Sequence, residues 1–120
     1  MAKLLIVDDS LFQRGRLRML AESEGWDVIE AADGREGLDV IVEQSPDVVV
    51  LDINMPVMTG IEVLQELKKY DKSVYVIILT ADIQETTRTQ CLENGAAAVL
   101  LKPVQTEEFK AQLKSVQLSI

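Results

Sequence analysis

Histidine is absent from the 120-residue chain, and cysteine occurs once, as Cys91. Without histidine the chain cannot form a Ser-His or Cys-His nucleophile pair or the commonest kinds of zinc site. A single cysteine cannot form an internal disulfide, which fits a reducing compartment. These absences exclude histidine-dependent nucleophilic catalysis by the chain itself.

Positive charge and long apolar runs are also scarce. Lys and Arg number 12 against 20 Asp and Glu, for a formal net charge of −8, whereas nucleic-acid surfaces depend on excess positive charge. No apolar run approaches the ~20 residues of a membrane span, and the first residues make a poor signal peptide. We therefore expect a cytoplasmic protein that binds neither nucleic acid nor membrane directly.

Apolar runs of strand length alternate five times with helix-like segments. Most runs are continuous, as in parallel strands covered by helices on both faces. The runs cover 4–7, 28–29, 48–51, 74–79 and 97–101. The alternation predicts an α/β fold with a parallel sheet and right-handed crossovers, forming one domain over residues 1–120.

Four of the helix-like segments open with residues that can cap a helix. These pairs resemble a capping box or its Asp-led variant: Ser10 with Gln13, Asp33 with Glu36, Thr59 with Glu62, and Asp82 with Glu85. Gly25 and Gly95 stand where the first and fourth helices should stop. The fourth helix, expected over 83–94, has few apolar residues, so we expect it to be weakly anchored.

Polar residues directly follow four of the five strands. All strands of a parallel sheet end at one edge, and ligands bind in the crevice there. The residues are Asp8 and Asp9 after the first strand, Asp52 after the third, Thr80 after the fourth, and Lys102 with Pro103 after the fifth. The second strand offers only Glu30, which should lie to one side.

This group of residues predicts phosphoryl transfer with a divalent cation. Crowded carboxylates repel one another, and a hard cation relieves that repulsion. Mg²⁺ suits the site because it needs few carboxylates and leaves room for phosphate oxygens. Asp52 can then attack a phosphoryl group as a nucleophile, while Lys102 balances charge and Thr80 donates a hydrogen bond.

Six short segments, in this order and at these spacings, form a highly specific pattern: LIVDDS (5–10), VLDINMP (50–56), TG (59–60), LTA (79–81), NGA (94–96) and LKP (101–103). With them the sequence resembles the receiver domains of bacterial response regulators from residue 3 to about 116. The resemblance implies a flavodoxin-like (βα)5 fold with strand order 2-1-3-4-5. The overall length of the chain and its first helix loosely resemble those of the single-domain chemotaxis group.

The resemblance also assigns roles to the residues that could hold the metal. The residues matching Asp8 and Asp9 hold Mg²⁺, Asp9 directly and Asp8 largely through water. The backbone carbonyl that matches Asn54 is the third protein ligand, and Asp52 matches the phospho-acceptor. The donor would be a phosphohistidine on a sensor histidine kinase or a phosphotransfer protein. The chain would then be a signalling switch rather than an enzyme, catalysing only its own phosphotransfer and dephosphorylation.

The switch residues follow from the same resemblance, with one departure. Thr80 and Lys102 match the residues that bind the phosphoryl group and drive the switch, Ala81 follows the threonine, and a cis bond is implied before Pro103. Many receivers carry an aromatic residue where this chain has Val99. We therefore expect a different output, with the fourth helix as the mobile element and a target protein bound by the face of the fourth helix, fifth strand and fifth helix.

Several alternatives remain at this level. One alternative is a receiver from a longer transcriptional or enzymatic regulator, and another is a degenerate receiver that only binds proteins; the intact acidic group argues against the latter. A flavodoxin-like nucleotide binder would need a phosphate-binding loop that the sequence lacks. An aspartyl-phosphate phosphatase would need a substrate-covering cap, for which 120 residues leave no room. Arg14, Arg16 and Arg18 are interpreted as a solvated helix flank.

Overall fold

The computed structural model describes residues 2–70 and 74–117. Five parallel strands form one sheet in the order β2-β1-β3-β4-β5, as predicted. The strands are β1 (Lys3–Val7), β2 (Asp27–Ala31), β3 (Val48–Asp52), β4 (Tyr75–Thr80) and β5 (Ala98–Leu101). The helices are α1 (Leu11–Ser23), α2 (Gly34–Gln44), α3 (Gly60–Leu67), α4 (Glu85–Glu93) and α5 (Thr106–Gln117).

The sheet is covered on both faces, which explains the continuous apolar runs. Successive side chains of a strand point to opposite faces, so Leu4 and Ile6 join the core under α1 and α5, whereas Leu5 and Val7 join the core under α2, α3 and α4. Phe109 of α5 is fully buried in the first of these cores. No described helix has the length and apolar content needed to span a bilayer.

Three of the four predicted helix caps are confirmed. The Ser10 hydroxyl accepts a hydrogen bond from the Gln13 N–H, and the Asp33 carboxylate accepts one from the Glu36 N–H. Thr59 forms a complete capping box with its partner three residues later. The predicted glycine stops are confirmed as well, with positive φ angles of 90° after α1 and 104° after α4.

The start of the fourth helix differs from its prediction. α4 begins at Glu85 after Gln84, whose side chain makes no capping hydrogen bond, so the prediction of Asp82 as the cap is wrong. The Asp82 carboxylate instead accepts hydrogen bonds from the Gln84 N–H at 2.9 Å and the Thr87 hydroxyl at 2.6 Å. The Asp82 carboxylate closes a turn before the helix begins, because the Thr87 hydroxyl in the first helical turn occupies one of its oxygens. Within α4, whose residues are all described, only Cys91 is buried.

Candidate functional site

The buried polar residues of the chain gather at one edge of the sheet. Asp8 directly follows β1, Asp52 ends β3 and Thr80 ends β4, and they are only 1 %, 4 % and 1 % exposed. They are the only buried polar or charged residues among residues 2–70 and 74–117. Buried polar groups are unfavourable unless paired or bound to a ligand. Their concentration where the parallel strands end therefore marks this crevice as the functional site.

An acidic cluster occupies the centre of the site. One carboxylate oxygen each of Asp8, Asp9 and Asp52 lies within 4.8 Å of the other two, as the sequence predicted. The Asp8 Oδ1 atom accepts a hydrogen bond of 2.8 Å from the Ser10 N–H. Its Oδ2 atom has no hydrogen-bond partner among the described residues. An unpartnered buried carboxylate oxygen beside two further carboxylates is a donor set suited to a hard divalent cation.

The electrostatics of Asp8 reflect this crowding. Burial is the largest influence and raises the pKa of the Asp8 carboxyl. The hydrogen bond from the Ser10 N–H opposes that rise, and the negative charge of Asp52 adds to it. Of two smaller effects, the positive charge of Lys102 lowers the pKa of Asp8 and the negative charge of Asp9 raises it. The charged form of Asp8 is therefore disfavoured in the ion-free protein.

Lys102 supplies the positive charge of the site. Its Nζ lies 2.9 Å from Asp52 Oδ2 and 4.0 Å from Asp8 Oδ2. The Lys102 N–H donates to the Thr80 carbonyl at 2.8 Å, which ties the end of β5 to β4. The Lys102–Pro103 peptide bond is cis, as the resemblance implied. The lysine thus reaches the acidic cluster from a fixed position on the neighbouring strand end.

The loop after β3 holds Asp52 in place. The Asn54 N–H donates to Asp52 Oδ1 at 3.2 Å, and the Gly60 N–H donates to the Ile53 carbonyl at 3.0 Å. A Cβ atom at Gly60 would lie 2.8 Å from the Asp52 carbonyl oxygen, closer than side chains tolerate. Glycine at this first position of α3 therefore lets the helix pack directly on the end of β3.

The predicted switch residues lie on the α4 side of the site. The Thr80 hydroxyl accepts a hydrogen bond of 3.0 Å from the Asp82 N–H. Thr80, Asp82 and Asn54 help line a pocket of about 360 Å³ that opens between α3 and α4. Ala81 is exposed, and Val99 is partly buried beside a second pocket between α4 and β5. Thr80 and Val99 thus line two separate pockets, and both pockets border α4.

The interpretation of the first-helix arginines as a solvated flank is wrong for Arg14, while Arg18 remains 42 % exposed. Arg14 is only 14 % exposed, because its Nε pairs with Glu30 at 3.1 Å and its Nη1 donates to the Asp8 carbonyl at 2.6 Å. Arg18 pairs with the other Glu30 oxygen at 2.6 Å, and Arg16 donates to the Val104 carbonyl at 2.7 Å. The sequence signal that could have indicated the pairing was Glu30 itself, at the edge strand beside α1.

Comparisons with known proteins agree with this geometry. The family model described as the response regulator receiver domain matches residues 4–114. The sporulation initiation phosphotransferase F of Bacillus subtilis is 36 % identical over 112 residues, with 93 % of this chain and 90 % of that protein covered. A solved structure of the chemotaxis response regulator CheY4 of Vibrio cholerae superposes with a TM-score of 0.90 at 34 % identity, covering 97 % of this chain and 98 % of that one.

Other relatives are longer than this chain. The probable transcriptional regulator ycf27 of Porphyridium aerugineum is 40 % identical over 114 residues, which is 95 % of this chain but 47 % of that protein. The chain therefore spans about half the length of some curated relatives and nearly the whole length of others.

Proposed function

Since the chain belongs to the response regulator receiver family and is homologous to phosphorylatable regulators, we propose that Asp52 is its phospho-acceptor. The observation that carries the proposal is the 2.9 Å pairing of Lys102 with Asp52, inside a buried cluster with Asp8 and Asp9. A buried carboxylate flanked by a fixed ammonium group and further acids has the parts that phosphoryl transfer to an aspartate requires.

Asp8, Asp9 and Asp52, together with the Asn54 backbone carbonyl, would hold Mg²⁺. The donor set fits, because the Asp8 Oδ2 atom lacks a hydrogen-bond partner and the other acids lie within 4.8 Å. When bound, the ion would neutralise these carboxylates and the oxygens of an incoming phosphoryl group. Lys102 Nζ forms only a long ion pair of 4.0 Å with Asp8 Oδ2, compared with 2.9 Å to Asp52 Oδ2.

In the proposed reaction an Asp52 carboxylate oxygen attacks the phosphorus of a phosphohistidine on a sensor kinase or phosphotransfer protein. The new O–P bond forms as the N–P bond breaks, and the imidazole nitrogen keeps the bonding pair. Lys102 then balances the added charge, and the Thr80 hydroxyl turns to donate to a phosphoryl oxygen. Later attack of water on phosphorus would break the O–P bond, release inorganic phosphate and return the Asp52 carboxylate. The chain would thus act only on its own phosphoryl group, as a switch.

The structure offers a route from this chemistry to α4. If the Thr80 hydroxyl turns toward the phosphoryl group, the Asp82 N–H loses its 3.0 Å acceptor. Asp82 in turn holds the start of α4 through Thr87 at 2.6 Å. Because Cys91 alone is buried in this fully described helix, a shift of α4 sacrifices little packing. We infer that α4 is the mobile element and that Val99 lets it move without an aromatic partner.

A target protein would read this shift on the face formed by α4, β5 and α5. Ile83 is 82 % exposed and Leu101 is 48 % exposed, and both line the pocket between α4 and β5. Phosphorylation would favour the conformation that the target binds more tightly. The same switch serves whether the output belongs to the same chain or to a separate protein, and relatives of both lengths are matched.

The test is incubation with acetyl phosphate and Mg²⁺, followed by mass spectrometry of the intact protein. We expect a mass gain of one phosphoryl group that is lost in Asp52→Asn and when EDTA replaces Mg²⁺. Asp39→Asn is the matched control, because Asp39 is an exposed acid in α2 that pairs with Arg35. No gain in the native protein, or an undiminished gain in Asp52→Asn, would remove Asp52 as the acceptor.

A further inference from the structure

The side chain of Arg14 connects α1 to the end of β1. Its Nη1 donates to the backbone carbonyl of Asp8 at 2.6 Å, and its Nε pairs with Glu30 Oε1 at 3.1 Å. Glu30 comes from β2, where it lies opposite Ile6 of β1. One guanidinium group therefore joins a helix, an edge strand and the first residue of the acidic cluster.

This contact completes the fixing of Asp8. The Asp8 N–H donates to the Ala31 carbonyl at 3.2 Å, its Oδ1 accepts from the Ser10 N–H at 2.8 Å, and its carbonyl accepts from Arg14. Only Oδ2 is left without a hydrogen bond. The Asp8 carbonyl belongs to the peptide group that joins Asp8 to Asp9, so rotation of that peptide would move both carboxylates of the pair.

The charge of Arg14 is balanced locally, so its influence on the site is mainly geometric. Glu30 uses its second oxygen, Oε2, to pair with Arg18 at 2.6 Å. Arg18 also pairs with Glu22 at 3.3 Å and remains 42 % exposed. Arg14 and Arg18 thus pair with the same carboxylate, but of these two guanidinium groups only that of Arg14 also donates to Asp8.

We propose that Arg14 is a positioning residue for the divalent-cation site, fixing the Asp8–Asp9 peptide so that both carboxylates face the ion. This inference rests on the proposed function, which supplies the ion. The planar guanidinium can donate to Glu30 and to the Asp8 carbonyl at once, whereas a lysine ammonium lacks this fixed fork. Groups that orient metal ligands typically contribute about 10–100-fold to metal affinity.

The experiment measures Mg²⁺ affinity directly by isothermal titration calorimetry of the full chain. We expect Arg14→Gln and Arg14→Lys each to weaken Mg²⁺ binding by about 10-fold or more. Arg18→Gln is the matched control, because it removes the other partner of Glu30 without touching Asp8, and we expect a change of no more than about twofold. Thermal unfolding in EDTA reports whether each variant folds, and Arg14→Lys keeps the positive charge beside Glu30 if Arg14→Gln does not fold.

A second readout separates positioning from general damage. With acetyl phosphate as donor, the Mg²⁺ concentration for half-maximal phosphorylation of the Arg14 variants should rise about as much as the dissociation constant. The rate at saturating Mg²⁺ should remain near that of the native chain. Native affinity in both Arg14 variants, or equal weakening in Arg18→Gln, would overturn the role of Arg14 while leaving the acceptor proposal intact. Absence of Mg²⁺ binding by the native chain would overturn both.

Discussion

Replacing Asp8 with asparagine should stabilise the ion-free protein. Asp8 is 1 % exposed, its Oδ2 has no hydrogen-bond partner among the described residues, and oxygens of Asp9 and Asp52 lie within 4.8 Å. Asparagine keeps an oxygen for the Ser10 N–H and can place an amide N–H₂ where Oδ2 now lies. A hydrogen-bond donor would then face the remaining carboxylates in place of a negative charge.

The magnitude follows from the distances at the site. Two unit charges at the 4.8 Å limit repel by about 3.5 kcal/mol at an effective dielectric constant of ~20. Asp8 has two such neighbours, whereas the attraction of Lys102 at 4.0 Å is about 4 kcal/mol on the same scale. Repulsion therefore exceeds attraction by about 3 kcal/mol, and solvent screening at the exposed Asp9 reduces that excess. We expect Asp8→Asn to raise the free energy of unfolding by about 1–3 kcal/mol.

The assay is urea unfolding in EDTA at several pH values, with Asp39→Asn as the control. Because burial raises the pKa of Asp8, the folded state binds its proton more tightly than the unfolded state. The charged Asp8 carboxylate therefore destabilises the folded state most above the raised pKa, and this destabilisation disappears as the pH falls toward the ordinary value of 3.8. The advantage of Asp8→Asn should therefore shrink on acidification. An unstabilised variant, a pH-independent gain, or an equal gain in Asp39→Asn would refute the reasoning.

Two further pairs of substitutions test the local structure around the site by urea unfolding. Gly60→Ala should destabilise the fold by about 1–3 kcal/mol, because its Cβ would lie 2.8 Å from the Asp52 carbonyl oxygen. Gly15→Ala, whose Cβ meets nothing within 4 Å, should instead stabilise the fold by up to ~1 kcal/mol. A change in the free energy of unfolding with the same sign in both glycine variants would contradict this account. Thr59→Ala should remove the capping box of α3 and lower the free energy of unfolding by about 1 kcal/mol. Gln84→Ala should stay within about 0.5 kcal/mol, because Gln84 makes no side-chain cap; equal losses in the two would show that the cap is not responsible.

Much of this site could be predicted because its signals are carried by the strands. A continuous apolar run indicates a strand buried on both faces, and the next polar residue then marks the functional edge of a parallel sheet. This reasoning brought Asp8, Asp52 and Lys102 together from three separate parts of the chain, and the distances of 2.9 Å and 4.0 Å confirm it. The strand order itself required the family resemblance, since alternation alone fixes only the class of fold.

The errors arose where a local pattern competes with a tertiary contact. Asp82 and Glu85 have capping-box spacing, but the Thr80 hydroxyl binds the Asp82 N–H and the Thr87 hydroxyl binds its carboxylate. These contacts move the helix start without altering the sequence pattern. Arg14 was misjudged for a similar reason, because its partners lie directly after β1 and on β2 rather than on its own helix.

The two ends of the site differ in how firmly they are held, and this difference bears on how a switch would work. The N–H, carbonyl and Oδ1 of Asp8 are bound by three different segments, so Asp8 itself cannot move away from the neighbouring carboxylates. Added positive charge, or altered charge on Asp52, would relieve the repulsion at Asp8 without moving it. α4, by contrast, buries only Cys91 and is held at its start by a short chain of hydrogen bonds through Asp82. A change in charge at the rigid end therefore meets least resistance at α4, and we expect the structural response to phosphorylation to be concentrated there.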